Sequence, residues 1–284
     1  MAGANVVARR MRTTTKRTAS NSWLEFLERC GYVIRGVLYA VMGGLALGLS
    51  LGIGGAATDQ SGSVAVLSEG PAGKLFLFAV VIGLGAYSIW GFVRAVFDPL
   101  RRGRDAAGIA ERLGFAWSGA AYAAIAIFAL HLLAGSGASS SHDATQSTIA
   151  KILALPAGQF LATAIGVVTI GVGLGQFLDA YRAIFKQDLK RTEMNRAEKR
   201  IVDMLGRFGY FSRGVTFTLV GWFAFQGGLH HDSSQVHGFS GVFLFLLGQP
   251  FGRLLLGVVA LGFIALGLHS FACARWIRLL GSRG

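Results

Sequence analysis

Charged residues are scarce in this chain of 284 residues, since Asp, Glu, Lys and Arg together make up only 14% of it. A soluble domain of this length would carry about a quarter charged residues. At the same time 53% of the residues are hydrophobic, and the mean hydropathy is +0.54. The shortage of charge argues against an ordinary soluble protein and indicates long transmembrane helices.

Proline and cysteine are rare as well. Four prolines are too few for a disordered or linker-rich chain. The two cysteines, Cys30 and Cys273, have no metal-ligand spacing around them and fall where we place the reducing cytoplasmic side, which argues against a structural disulfide. The chain also lacks a nucleophile elbow, a phosphate loop and the His-Glu-x-x-His and Cys-x-x-Cys patterns. We therefore expect neither an enzyme nor a bound cofactor or metal.

Basic residues are in excess, with a formal net charge of +13. They flank the apolar runs, as orientation in a membrane requires, so we expect no nucleic-acid partner. If both termini are cytoplasmic, all but three of the 27 lysines and arginines lie on the inner side, the exceptions being Lys74, Lys151 and Arg253. The positive-inside rule thus predicts six spans with the N- and C-termini inside.

Six apolar runs are long enough to cross a bilayer. We predict spans at residues 31–53, 75–97, 113–133, 160–184, 209–229 and 254–276. Residues 1–22 form a basic tail that we expect to be disordered near lipid headgroups. The segment at residues 23–27 is predicted to be a short interfacial helix ahead of the first span, and the run at residues 239–247 an interfacial or re-entrant helix.

Glycine is abundant, with 41 residues, and it marks an internal repeat. Openings that combine two glycines with an aromatic residue begin at residues 31, 114 and 209, and Pro-x-Gly openings begin at residues 71, 156 and 250. The second glycine of each opening is followed three residues later by an aromatic residue; these are Tyr39, Tyr122 and Phe217. Each repeat contains two spans, so the copies enter the membrane in the same direction.

The predicted fold is therefore an all-α integral membrane bundle of six transmembrane helices, built as three parallel two-helix repeats with pseudo-threefold symmetry. We place the repeats at residues 23–108, 109–200 and 201–284.

These openings resemble those of a bacterial membrane family known as domain of unknown function 1206. The similarity covers about residues 25–278, and repeat two departs from it because Ser118 stands where the other repeats have arginine. The resemblance implies a six-helix, three-repeat topology in a bacterial inner membrane. It brings no established activity.

Ionisable residues inside a membrane are costly and are candidates for function. Arg35, Ser118 and Arg213 occupy equivalent positions and would form one ring near the cytoplasmic side. Arg94, Asp179 and Cys273 would form a second ring by the same symmetry. Such rings could bind an anion or gate a pore, although arginines this close to a helix end can also snorkel, and Arg94 could simply pair with Asp179.

Gln176 and His269 lie slightly deeper. His269 could relay protons or bind a haem or metal, but a packed, hydrogen-bonded histidine is the simpler interpretation. The loop with His230, His231, Asp232 and His237 has metal-binding character, and a solvated loop is the alternative.

Two functions are compatible with these features. The first, which we prefer slightly, is a small ion or solute channel or transporter, indicated by the symmetric bundle and the arginine ring. The second is a structural or accessory subunit of a membrane complex, or a lipid-organising protein, with membrane lipids, another protein or further copies of the chain as partners. A continuous polar path along the axis would support transport, and an axis filled by Phe, Leu and Val would contradict it.

Overall fold

The structure is a computed structural model, which describes residues 22–98, 105–135, 147–148 and 150–276. Its regular structure is helical. In chain order the α-helices are α1 (Ser22–Leu51), α2 (Gln60–Ser68), α3 (Gly73–Phe97), α4 (Ala106–Leu133), α5 (Gly158–Arg182), α6 (Arg196–Leu229), α7 (Phe239–Leu247) and α8 (Gly252–Trp276). The predicted tail up to residue 21 lies outside the described residues, as do Arg101, Arg102, Arg104, Arg278 and Arg283.

Local sequence explains where several helices begin. The Asp59 and Asp105 side chains accept hydrogen bonds from the backbone N–H groups of Gly62 and Gly108, which are otherwise unpaired at a helix start. α6 begins with a reciprocal capping box in which Asn195 and Glu198 each bond the other's backbone N–H at 2.8 Å. The short apolar run at 239–247 is a helix over the predicted residues.

Two helices extend beyond the predicted spans. The segment at residues 23–27 is part of α1, which continues without a break to Leu51. The charged segment before residue 209 is likewise continuous with the apolar half of α6. Neither junction contains a proline, so nothing interrupts the backbone hydrogen bonds where composition changes from polar to apolar.

Five helices contain a segment long and apolar enough to cross a membrane. These segments are Arg29–Leu51, Gly73–Phe97, Gly108–Leu133, Gly158–Arg182 and Gly252–Trp276, and they belong to α1, α3, α4, α5 and α8. α6 is not among them, because its first half is charged and its apolar half includes Arg213 and Gln226. The chain is thus an all-α membrane protein with five candidate spans.

The tightest helix pairs join different repeats. The second helix of each repeat packs along the first helix of the next: α3 on α4, α5 on α6, and α8 back on α1. Within a repeat, α1 contacts α3 and α6 contacts α8 more lightly. Over their described residues, α4 and α5 are hardly in contact, so the packing of repeat two is open on this side.

The second glycine of each repeated opening lies against the backbone of the neighbouring repeat. A Cβ built there would meet a carbonyl oxygen of the partner helix more closely than most real Cβ contacts allow. These distances are 3.0 Å between Gly36 and Gly267, 3.1 Å between Gly119 and Ser88, and 3.1 Å between Gly214 and Gly173. Small residues here let two backbones touch, which drives helix association in a membrane.

An aligned phenylalanine completes each of these contacts. The rings of Phe271, Phe92 and Phe177 lie over the second glycines of repeats one, two and three. Three equivalent glycine–phenylalanine contacts therefore hold the three tight pairs, and their equivalence accounts for the sequence repeat.

The first glycine of the opening packs within a repeat, and here repeat two differs. A Cβ on Gly31 would lie 2.9 Å from the Gly83 carbonyl oxygen, and one on Gly209 would lie 2.8 Å from the Leu266 Cα. A Cβ on Gly114, the equivalent residue, would meet no atom of a described residue within 4 Å. We call this unpacked region between α4 and α5 the repeat-two gap.

We expect Gly209→Ala to lower the free energy of unfolding by about 1–3 kcal/mol, because the added methyl group collides with the α8 backbone. Gly114→Ala is the matched control and should leave it unchanged or raise it by up to about 1 kcal/mol, because alanine favours the helix and meets no described residue. Thermal unfolding in detergent, followed by tryptophan fluorescence, measures both variants. Equal losses in the two would contradict the packing described for the first glycine.

Candidate functional site

Arg35 is buried inside α1 with only 7% of its surface exposed. One of its terminal nitrogens donates a hydrogen bond to the Tyr87 hydroxyl at 2.5 Å. Its guanidinium lies 5.1 Å from the ring centre of Tyr32 and 4.9 Å from those of Tyr87 and Tyr122. We call these three rings the tyrosine cage. Cation–π attraction to such rings partly offsets the cost of removing the charge from water.

Arg213 reaches the same region from α6. It is half-buried, and its guanidinium lies over the Phe217 ring at 5.2 Å. Its charge acts on Tyr39, Tyr122 and Arg35, which come from α1 and α4. The Tyr39 and Tyr122 hydroxyls are themselves 3.1 Å apart. Residues from all three repeats therefore lie near one another, and we call Arg35, Arg213, Tyr39 and Tyr122 the axial cluster.

The cluster holds two positive charges without a bonded counter-charge. In the described part of the chain, neither Arg35 nor Arg213 forms an ion pair, and the buried Nε of Arg35 has no hydrogen-bond partner. Asp179 is near enough for the charge of Arg213 to act on it, but it makes no hydrogen bond or ion pair with any described residue. Unneutralised charge inside a membrane is costly to maintain, and this makes the cluster the strongest candidate for a binding site.

The predicted ring residues have unequal environments. Ser118 is half-buried and leaves the third position of the Arg35 ring uncharged. Arg94 is 6% exposed, with its guanidinium 4.8 Å from the Phe115 ring of α4 and 5.5 Å from the Tyr87 ring, so it contacts both α4 and one ring of the cage. Gln176 is half-buried, and its side-chain oxygen has no hydrogen-bond partner among the described residues.

His269 and Cys273 lie together, and Cys273 belongs to the same buried cluster as the three cage tyrosines. His269 is 2% exposed, with Nδ1 3.2 Å from the Val202 carbonyl oxygen and Nε2 3.5 Å from Cys273 Sγ. Its ring also packs edge-on against Phe185 and Tyr210. The geometry is that of a packed, hydrogen-bonded histidine.

Sequence reasoning did not assign the tyrosines to the site. Tyr39 and Tyr122 carry a signal, since each follows the second glycine of its repeat by three residues. Tyr32 and Tyr87 carry none that distinguishes them from the aromatic residues common at membrane interfaces. Only the packing of α1 on α3 brings them to Arg35.

Toward the outer side, aromatic rings fill the space beyond the cluster. The Tyr39 ring stacks on Phe263 with centroids 6.0 Å apart. The rings of Phe239 and Phe243 of α7 also pack against the Phe263 ring, with centroids 6.0 Å and 5.7 Å from it. Met42, one turn beyond Tyr39, has no exposed surface. A continuous polar path to the outer loops is therefore not present along these residues.

On the inner side, residues 184–194 cross the end of the bundle, and we call them the inner strap. Leu189 and Met194 are buried in the same hydrophobic cluster as Tyr32 and Tyr87. The backbone N–H of Lys190 donates to the carbonyl oxygen of Trp276 at 2.7 Å. The strap thus covers this side of the tyrosine cage.

Asp203 of α6 fastens the strap. It receives two hydrogen bonds from Arg191, at 2.6 and 3.2 Å, and an ion pair from Lys186 at 2.9 Å. Burial alone would raise the pKa of this carboxyl group, but the bonds from Arg191 and Lys186 outweigh it. The pKa of Asp203 is therefore lowered from its ordinary 3.8.

The side chains of the histidine loop, residues 230–237, make separate contacts. Asp232 accepts hydrogen bonds from the Ser234 backbone N–H and the Gln235 side chain, and the His237 ring packs against Phe223. Among the described residues, no three His, Cys, Asp or Glu side chains are arranged to hold a metal ion.

Comparison with known proteins supports the repeat assignment. Three segments of the chain, residues 30–98, 113–183 and 208–276, match the family described as Domain of Unknown Function (DUF1206). An uncharacterized protein, YxxB of Bacillus subtilis (strain 168), is 34% identical over 248 residues, which is 87% of this chain and 89% of that protein. No solved structure matches the chain.

The lowered pKa of Asp203 predicts a pH-dependent fastening of the strap. Because the folded pKa is depressed, the ion pairs contribute stability above the unfolded pKa and lose it as pH falls through the folded one. We expect Asp203→Asn to unfold at a lower temperature than wild type at pH 7, with the difference disappearing below pH 3.8. Glu193→Gln, which changes an exposed carboxylate of the strap, should leave the unfolding temperature unchanged. A difference for Asp203→Asn that is constant with pH would contradict the ion-pair account.

Proposed function

This chain belongs to the DUF1206 family, and on that premise we propose that it is a six-span bacterial inner-membrane protein that binds an anionic group at its axial cluster. The observation that supports this is the pair Arg35 and Arg213, two guanidinium groups at one place in a membrane bundle without a bonded carboxylate among the described residues. A phosphate or carboxylate would neutralise them and complete their hydrogen bonding.

We take α6 as the sixth span. It packs lengthwise on α5 and on α8, both of which are candidate spans, and its apolar half carries the third copy of the repeated opening. The three parallel repeats then have pseudo-threefold symmetry, which the three equivalent glycine–phenylalanine contacts support. The distribution of basic residues supports cytoplasmic N- and C-termini.

Aromatic rings fill the outer half of the bundle, and this helps to choose between the two functions considered for the site. An open channel needs a polar or hydrated path across the bilayer, and the rings of Tyr39, Phe263 and Phe243 occupy the axis instead. This favours a binding, lipid-organising or accessory protein over a channel. A transporter is the second candidate, supported by the unneutralised arginines. Transport would require the rings of Tyr39, Phe263 and Phe243 to move apart in another conformational state.

Anion binding should stabilise the protein against heat. With inorganic phosphate as the probe, we expect the unfolding temperature of the wild type to rise with phosphate concentration by mass action, and that of Arg213→Ala not to rise. Arg275→Ala is the matched control, because Arg275 also lies over an aromatic ring, that of Trp276, but is exposed at the end of α8. An identical phosphate response in wild type and Arg213→Ala would refute the site.

Flux measurements separate the two candidates. We expect liposomes containing the purified protein to release chloride, sulfate or phosphate no faster than empty liposomes. If the wild type releases an anion faster, and Arg213→Ala abolishes this release while Arg275→Ala does not, the protein is a transporter.

The number of spans is tested by the location of the C-terminus. Six spans place both termini in the cytoplasm, whereas five place them on opposite sides. We expect a reporter that is active only in the periplasm to be inactive when fused after residue 284, and active when inserted after Gly70 or His231. Activity at the C-terminus would remove α6 from the set of spans.

A further inference from the structure

The axial cluster is closed along the bundle axis in both directions. The aromatic layer around Phe263 covers it on the outer side, and the inner strap packs beneath the tyrosine cage on the other. A ligand that reaches the arginines must therefore come from the side, between two helices.

The repeat-two gap is the place where the side wall is incomplete. Gly31 and Gly209 each touch the second helix of their own repeat, but a Cβ on Gly114 would meet no described residue. Gly171 and Gly175 on α5 likewise have open space around them. The apolar side chains Leu174 and Leu178 on α5 are more than half exposed, so the surface outside this region suits acyl chains.

Charged side chains lie at different depths near the inner end of this gap. Glu111 of α4 and Asp179 of α5 act on each other electrostatically, and Arg213 acts on Asp179 as well. Gly173 lies level with Gly214, the neighbour of Arg213, and Asp179 follows Gly173 by six residues. At 1.5 Å per residue, its Cα is about 9 Å nearer the inner end of the bundle.

We propose that the repeat-two gap admits an inner-leaflet phospholipid with a zwitterionic headgroup, whose phosphate binds Arg213 and Arg35 and whose ammonium binds Asp179. This rests on the proposed function, since it takes the axial cluster as an anion site and α5 and α6 as spans. A phospholipid in the inner leaflet presents, from the bilayer centre outward, acyl chains, phosphate and ammonium. The gap presents apolar surface, arginines and carboxylates in the same order.

The charges themselves favour this ligand over a simple anionic lipid. An anion entering alone would pass Asp179 and Glu111, two carboxylates that repel it. A headgroup that carries an ammonium satisfies Asp179, which has no bonded partner among the described residues, while its phosphate goes to the arginines. Ser118 assists by leaving the wall of repeat two without the bulky cation found in the other repeats.

The test is native mass spectrometry of the full chain, released from mixed micelles with equal amounts of dioleoyl phosphatidylethanolamine and dioleoyl phosphatidylglycerol. We expect the wild type to retain phosphatidylethanolamine over phosphatidylglycerol by at least about tenfold, as for one partly desolvated charge pair. Asp179→Asn should reverse or abolish the preference, and Arg213→Ala should lose both lipids. Glu193→Gln, an exposed carboxylate away from the gap, should behave as wild type.

A second pair of variants tests the route. Gly114→Trp fills the gap, which is the route to the arginines, and should remove the lipid adduct and weaken the thermal response to inorganic phosphate. Gly85→Trp places the same ring at another unobstructed helical glycine, on α3, and should retain the lipid. Monodisperse elution of each variant serves as the check that it is folded.

Several results would overturn the inference. Soluble phosphoethanolamine that binds as tightly as the lipid would show that acyl chains and the gap play no part, with the anion site intact. A lipid preference unchanged in Asp179→Asn would remove the ammonium site. A dimer in which Gly114→Cys cross-links two copies would show that the gap is a subunit contact instead. Absence of any response to phosphate, lipid-bound or free, would refute the proposed function itself.

Discussion

The contact between two helix backbones at the second glycine of each repeated opening is the constraint on which the structure depends. It sets the distance and the register of three tight helix pairs, each of which joins two repeats. It also orients the arginines, because Arg35 and Arg213 immediately precede Gly36 and Gly214. Successive residues point about 100° apart around a helix. Packing the glycine against a neighbouring repeat therefore turns the arginine toward the axis.

Much of this architecture could be predicted from the sequence, because it is repeated. The helices, the short α7 and the openings follow from hydropathy and from motifs recurring in register. The pairing of repeats could not, because a glycine pattern shows that something packs closely without showing what. Gly31, Gly114 and Gly209 look equivalent in the sequence, and only the structure distinguishes two packed glycines from an open one.

Only some residues of the candidate site could be predicted from the sequence. Arg35 and Arg213 are conspicuous as charges within apolar runs, and the aligned positions brought Ser118 and Asp179 to attention. Tyr32 and Tyr87 were not predictable as partners, because an aromatic residue near a helix end usually marks the membrane interface. The inner strap was also missed. It is rich in charged residues, yet Phe185, Leu189 and Met194 are buried under the bundle.

The cyclic order of the tight pairs has a consequence for biosynthesis. α3 meets α4, and α5 meets α6, soon after each is made, but α1 finds its close partner only in α8, the last helix of the chain. Until α8 has been synthesised, the glycine face of α1 thus contacts lipid or another protein. The contact between α1 and α8 then forms late, between the two ends of the polypeptide, and a chain cut short before α8 leaves α1 without its tight partner.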